Sequence, residues 1–360
     1  MSVKQLVSDT GVSCHAWNGD FTQLAYSPNS NELRIVDVKT WEVQHSLTEH
    51  DMLIAAIDWH ATSNFIVTVG HDRNAFVWTY DAAENAWKPL LVILRIERAA
   101  LDVKWSPDGS KFAVASSAKC VPVCYYETGY NWWVSKMIKK HKSTVLALAW
   151  HPNSQLVATG SSDFKCRVFS AYVSNVDGET QVSAEFGEVQ AFGEPYAEFA
   201  ASGWVHAVAY SPSGNTLAFA GHDSSVHFAT FAGGTPVVQT IRFGFLPLTQ
   251  VLFHGENRLF AGGHDMNPAV FDLSGEWAFS AFVDVKEVAK EVDAAAENSV
   301  KGRMNMWQNK DKTGTAAGSS AGDATSWLKH QGAISCIKAH PDGFSTTSVD
   351  GRLVVWTNPN

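Results

Sequence analysis

The sequence predicts an all-β fold, a propeller of seven blades, and three observations predict it. A turn sequence recurs along the chain at near-regular intervals. The strands between these turns are apolar on both faces. Trp and Gly are plentiful, at 14 and 26 of 360 residues, which fits many short aromatic-rich strands joined by tight turns. The 45% hydrophobic and 18% charged composition is globular and excludes wholesale disorder. The longest apolar run near a membrane signature, Leu90–Leu94, is stopped by Arg95, so no spanning helix is expected. The stretch Met1–Asp9 shows no secretory apolar core. Five scattered cysteines (14, 120, 124, 166 and 336) form no framework and favour a reducing compartment. The net charge of −9 argues against nucleic acid as the main partner.

The repeat is clearest in mid-chain. Thr144–Trp150 is an apolar strand, His151-Pro152-Asn153-Ser154 a turn, Leu156–Gly160 a second strand, Ser161-Ser162-Asp163 a second turn, and Cys166–Ser170 a third strand. Val205–Tyr210, Ser211–Gly214, Thr216–Ala220, Gly221-His222-Asp223 and Val226–Thr230 repeat it. Pro presets φ, and Gly or Asn accepts a positive φ, so the same turn chemistry marks Tyr26–Ser30, Trp105–Gly109 and His340–Gly343. The first-turn anchors are Tyr26, Trp59, Trp105, Trp150, Tyr210, Phe253 and Ala339, spaced 33, 46, 45, 60, 43 and 86 residues apart. Seven anchors predict seven blades, and the two long gaps predict insertions of roughly 15 and roughly 40 residues over a typical blade. In Val145–Trp150 neither alternate set of side chains is polar, as expected of sheets stacked face to face.

A second regularity concerns polar residues. Asp72, Asp163, Asp265 and Asp350 are followed six residues later by Trp78, Phe169, Phe271 and Trp356. Thr68, Thr159 and Thr346 precede such an Asp by four, and His50, His141 and His330 open three of the units. The pattern resembles the His–Ser/Thr–Asp–Trp hydrogen-bond tetrad of WD repeats, which satisfies a buried Asp. Blades 2 and 7 have all four members, and blade 4 has Phe169 for Trp. Blades 5 and 6 keep Asp223 and Asp265 and are expected to lack the hydroxyl partner. Blades 1 and 3 are degenerate. The last strand, Leu353–Trp356, has nothing after it to complete its blade, so Gln5-Leu6-Val7 is expected to close the ring.

The chemistry-bearing residues point away from catalysis. The His-Asp pairs at 71/72, 222/223 and 264/265 sit in equivalent turns of different blades, so a structural role outweighs a catalytic or metal one. Cys120 and Cys124 lack a second ligand pair for zinc. No phosphate-binding loop, nucleophile elbow or zinc-protease motif occurs. The sequence calls for no enzyme, no cofactor and no metal.

Two segments invite a binding role. Lys136, Lys139, Lys140 and Lys142 form a basic run after Asn131-Trp132-Trp133-Val134. Such a run is commonly a solvated outer strand, and its alternative is a dock for an acidic peptide with an aromatic anchor. Residues 284–329 form an inserted arm within one propeller spanning 1–360. Ser299 is placed to cap a short helix, Val300–Asn309, on which Val300, Met304 and Trp307 share an apolar face beside Lys301 and Arg303. The Gly/Ser/Ala-rich run from Gly314 to Gly322 is linker-like. The arm either folds back on its own propeller or offers Met and Trp anchors to a partner groove.

Several stretches together resemble the WD-repeat subunit family of the actin-related protein 2/3 complex. They are Asp72–Trp78, Trp87-Lys88-Pro89 with Leu91–Ala100, Asn131–Val134, Trp150–Ser154, Asp163–Arg167 and Gly203–His206, with Trp307-Gln308-Asn309 and Asp311-Lys312 in the arm. The resemblance covers nearly the whole chain in order. It implies a non-catalytic subunit supporting nucleation of branched actin filaments. Its implied partners are the other subunits, including the actin-related proteins, together with the actin filament and nucleation-promoting factors. The implied location is the cytoplasm and its cortical actin cytoskeleton, with no nucleic acid and no membrane insertion. Carried over, Val300, Arg303, Met304 and Trp307 are the candidates for actin contact, and the four lysines are those for an acidic tail. The competing reading is a substrate-recruiting WD-repeat adaptor, as in a ubiquitin ligase, which would use the central-channel face.

Overall fold

The structure is a computed structural model that describes residues 4–178, 187, 190–285 and 327–357. Seven four-stranded antiparallel sheets form the blades of a propeller. The blades' first strands, among them Ile54–Trp59, Ala100–Trp105, Val145–Trp150 and Val205–Tyr210, line a central channel of about 350 Å³. Second and third strands are buried on both faces. Lys111–Ser116 and Leu156–Ser161 are buried at every residue, which is why they read as apolar runs without alternation.

Ring closure follows the sequence expectation. Lys4–Val7 pairs antiparallel with Arg352–Thr357, with Gln5 opposite Val354 and Leu6 opposite Leu353. Blade 7 is thus completed by the chain's first strand, and its edge is covered.

The structure corrects the anchor of blade 1. Tyr26 lies in Gln23–Ser27, the second strand of that blade, and Ser27–Ser30 is the turn after it. The first strand is Cys14–Trp17, followed by Asn18-Gly19-Asp20. Trp17 is therefore the equivalent of Trp59, which removes the one short spacing. The physical reason is that the first turn of blade 1 has no Pro, whereas Pro28 lies in its second turn.

The shorter insertion falls between the third and fourth strands of blade 4 and begins with a single helical turn, Ser174–Asp177. It is pinned by a fully buried ion pair between Lys111 Nζ of blade 3 and Asp177. Lys111 also donates to the Ala171 carbonyl at 3.3 Å and lies 5.6 Å from the Trp150 ring. Burial outweighs the Asp177 carboxylate and pushes the Lys111 ammonium below its usual range. The helix expected over Val300–Asn309, and with it Val300, Arg303, Met304 and Trp307, lies outside the described residues.

Candidate functional site

In blade 2 the four tetrad residues form one hydrogen-bonded chain. Trp78 Nε1 donates to Thr68 Oγ1 at 2.9 Å, and Thr68 Oγ1 lies 2.8 Å from His50 Nε2. His50 Nδ1 donates to Asp72 Oδ2 at 2.7 Å. Asp72 further accepts from the backbone amides of Asp51 and Asn74. Burial alone would raise its pKa, but His50 and these amides hold it below the ordinary value. Every donor and acceptor is used, as a buried network requires.

Blade 7 repeats the inner half. Trp356 Nε1 donates to Thr346 Oγ1 at 2.8 Å, and His330 Nε2 is 2.6 Å from the same hydroxyl. His330 Nδ1 stands 3.7 Å from Asp350, beyond a hydrogen bond. Asp350 accepts instead from the amides of Gln331 and Arg352. Against the opposing effect of burial, the nearby His330 and these amides hold its carboxyl down to about 2.

Blade 4 is wired differently. Phe169 donates nothing, so Thr159 Oγ1 donates to the Arg167 carbonyl and stands 3.0 Å from His141 Nε2. Asp163 is held by Arg167, whose Nη1 lies 3.0 and 2.8 Å from its two oxygens, so no bond runs from His141 to Asp163. His141 Nδ1 has no partner among the described residues. Burial first, then the Arg167 charge, push the His141 pKa down to about 4.

Blade 5 departs from the sequence expectation. Asp223 does have a hydroxyl partner: Ser225 Oγ donates to Asp223 Oδ1 at 2.6 Å. The network then runs outward, from Ser225 Oγ to His227 Nε2 and from His227 Nδ1 to Thr240 Oγ1, both at 2.8 Å. The hydroxyl sits two residues after the Asp instead of four before it, so a search at the fixed offset missed it.

The His-Asp turns lie in separate blades, although His222 of blade 5 and His264 of blade 6 both act electrostatically on His206. His222 Nδ1 is 2.9 Å from His206 Nε2, beneath the half-exposed Trp204. Burial, and then the charges of His222 and His264, lower the His206 pKa. Among the described residues no group of three or more His, Cys, Asp or Glu side chains is placed to hold a metal ion. All five cysteines are buried and free, and burial pushes the Cys14 thiol up to about 12.

The basic run is split by its strand. Lys136, on the outer strand Trp132–Ile138 of blade 3, lies 5.6 Å from the Phe192 ring and 6.0 Å from that of Tyr125. Lys139, Lys140 and Lys142 are exposed, with Lys140 Nζ 3.8 Å from Glu194. Trp133 is buried against Trp105 and Phe112 and offers no external anchor; Trp132 is exposed. Lys139 also lines a cavity of about 620 Å³ with Arg95, Arg98 and Lys119. Sequence reasoning missed these three, because they come from two different turns and only the fold gathers them.

The base of the arm is well defined. Asp284 and Lys329, where the chain leaves and rejoins the ring, are bound together: Lys329 N donates to Asp284 Oδ2 at 2.7 Å, and Lys329 Nζ to Oδ1 at 2.8 Å. Asn267 holds both the amide and the carbonyl of Asp284 at 2.9 and 2.8 Å. Lys329 Nζ rests 4.9 Å from the Trp356 ring. The first three strands of blade 7 therefore begin beside the point where blade 6 ends, whatever lies between.

The fold, its tetrads and its exposed basic and aromatic surfaces define a class: a WD-repeat β-propeller of scaffold type. The family described as WD domain, G-beta repeat matches residues 41–79, 132–170 and 193–228. Each match begins at the outer strand of one blade or two residues before it and ends in the third strand of the next, the same offset that leaves blade 7 to be closed by the first strand. The chain is 43% identical over 373 residues to actin-related protein 2/3 complex subunit 1A-A of Xenopus laevis, covering 99% of this chain and 96% of that one. It is 41% identical to subunit 1B of Arabidopsis thaliana (97% and 94%) and 34% identical to subunit 1 of Schizosaccharomyces pombe (95% and 96%). The chain belongs to the family of actin-related protein 2/3 complex subunit 1. None of these three names is that of an enzyme.

Proposed function

We propose that this chain is the WD-repeat subunit of an actin-related protein 2/3 complex and supports nucleation of branched actin filaments in the cytoplasmic, cortical actin cytoskeleton. It scaffolds the other subunits, including the actin-related proteins. The observation that carries this reading is similarity along almost the entire chain to relatives named as subunits of that complex. In the same reading the arm at 284–329 contacts the mother filament through Val300, Arg303, Met304 and Trp307. Lys136, Lys139, Lys140 and Lys142 serve the acidic tails of nucleation-promoting factors. The arm's binding role is supported by its base: the clip of Asp284 and Lys329 completes the propeller without the intervening residues.

Affinity capture of the full chain followed by mass spectrometry tests the scaffold role, and co-purification of actin-related proteins is the expected result. A cullin or chromatin set in their place would replace this reading with the adaptor one. Met304→Ala with Trp307→Ala tests the arm. Truncation of an interface Trp costs on the order of 2–4 kcal/mol, a loss of roughly 30-fold or more in affinity. Branch formation and attachment to filament sides should fall, with melting temperature and complex assembly unchanged. Full branching activity, or a large loss of melting temperature, would refute the arm's role.

A further inference from the structure

We propose that the outer edge of blade 5, strand Val237–Arg242, is an interaction surface that takes an extended segment of another subunit as a fifth strand. This goes beyond the scaffold reading above, on which it rests for the identity of the partner.

A sheet edge presents unpaired amides and carbonyls, and soluble proteins blunt such edges with proline, charge, bulges or brevity. Six blades of this ring do so. In blade 2 the outer strand Ala86–Val92 carries Lys88 and Pro89, and in blade 3 Trp132–Ile138 carries Lys136 in its interior. In blades 1, 4 and 6 the pairing of the outer strand is broken by a register shift, at Ile35/Val36, Val168/Phe169 and Val270/Phe271. Blade 4 adds Pro195 and Glu198. In blade 7 the outer strand, Lys4–Val7, is four residues long. Blade 5 has none of these devices. Val237–Arg242 runs six residues against Ser225–Thr230 in unbroken register, with no proline and with its one charge at its last residue.

The edge is also rigid before any partner arrives. Gln239 Nε2 donates to the Trp277 carbonyl of blade 6 at 2.7 Å, and Trp277 N donates to Gln239 Oε1 at 2.9 Å. On the other face Thr240 Oγ1 lies 2.8 Å from His227 Nδ1. Ile241 packs into the apolar core between blades 5 and 6. A strand fixed in this way loses little further freedom when another pairs with it, so the ordering cost falls on the incoming segment. Val237 is 71% and Val238 43% exposed, and as neighbours in a strand they point to opposite faces. They call for a segment with apolar, β-branched residues on both of its faces at that end. Arg242, exposed at the other end, offers its charge to a carboxylate of the same segment, which sets the register. The backbone ladder supplies affinity and these side chains supply specificity. A second copy of this chain fits less well, because two such edges paired antiparallel in full register set Arg242 against Val237 and leave its charge without a partner.

Hydrogen exchange of residues 237–242, read by mass spectrometry, tests this in the full chain alone and in the complex assembled with the other subunits. The edge amides that exchange in the free chain should slow by about tenfold or more on assembly, as amides entering a ladder do. Val237→Lys with Val238→Lys places charge on the edge and should abolish that slowing, while Val237→Thr with Val238→Thr keeps strand preference and should retain it. Melting temperature of each free variant reports folding. Unchanged exchange on assembly, in a chain that still co-purifies with actin-related proteins, overturns the added strand and leaves the scaffold reading standing. Slowing that appears in the free chain as its concentration rises identifies a second copy as the occupant and overturns the proposal. Slowing that survives the lysine pair overturns it too. A chain that assembles with no actin-related protein overturns both readings.

Discussion

His15 Nε2 of blade 1 lies 2.8 Å from Ser345 Oγ of blade 7, across 330 residues of chain. Trp17 Nε1 donates to the same hydroxyl at 2.8 Å, and His15 Nδ1 meets Thr347 Oγ1 at 3.1 Å. The ring is therefore sealed twice, once by the backbone pairing of Lys4–Val7 and once by a buried polar seam. Ser345→Ala orphans the Trp17 indole and one His15 nitrogen, at about 1–3 kcal/mol for each buried unsatisfied group. Thermal melting should show a loss of several degrees, and removal of residues 1–9 should add to it. Additive losses would mark two independent seals. A Ser345→Ala protein that melts like wild type would show that the seam contributes nothing.

In blade 2, Asp72→Ala leaves the His50 Nδ1 proton without an acceptor and frees the amides of Asp51 and Asn74, so a loss of a few kcal/mol is expected. Asp223→Ala removes the acceptor of Ser225 Oγ, but that hydroxyl still has His227 at 2.8 Å. Its cost should be smaller. Denaturant titration of both variants decides, and equal midpoints would refute this assignment of the two networks.

Acidification should destabilise the fold in two stages. Burial depresses the pKa of His15, and burial with Arg167 brings His141 down from 6.5 to about 4. Between those values the unfolded chain binds the proton and the folded one does not. The His141 contribution is therefore full above pH 6.5 and is lost as pH falls toward 4, at about 1.4 kcal/mol per pH unit, and His15 acts with the same sign. Asp350, lowered from 3.8 to about 2, contributes above pH 3.8 and loses its contribution as pH falls toward 2. Melting temperature against pH should show both slopes, and His141→Gln should flatten the first. An unchanged first slope in that variant would contradict a neutral buried His141.

The Lys111–Asp177 pair is wholly buried, so removing either partner strands a charge. Lys111→Met alone should cost about 3–5 kcal/mol, and Lys111→Met with Asp177→Leu should recover much of it. A double-mutant cycle by chemical denaturation measures the coupling. No coupling would mean that the insertion in blade 4 is held by other contacts.

Blade number, two-sided burial and ring closure were legible because they follow from strand composition and the recurrence of turns. The tetrad members of blade 2 were legible at fixed offsets, since each strand holds its residue in register. Partners that break the offset were not, as Ser225 shows by lying within its own strand. Nor was the replacement of Asp163's histidine by Arg167, a competition that depends on reach across a strand. The cavity of Arg95, Arg98 and Lys119 was hidden because these residues come from two different turns, and only the fold brings them beside Lys139. The clip of Asp284 and Lys329 joins residues 45 apart through side chains with no local pattern.

The pairing of Lys4–Val7 with Arg352–Thr357 has a consequence for how this protein is made. The residues of Lys4–Val7 leave the ribosome hundreds of residues before their partner strand exists. During synthesis they carry unpaired backbone groups beside blades that are already closing, and blade 7 is the last to be completed. Pairing so distant in sequence is intrinsically slow and leaves incomplete species exposed to aggregation. A ribosome stalled before Arg352 therefore holds six self-contained blades and an open gap. Pairing of these two distant strands is the event that turns an open arc into a ring.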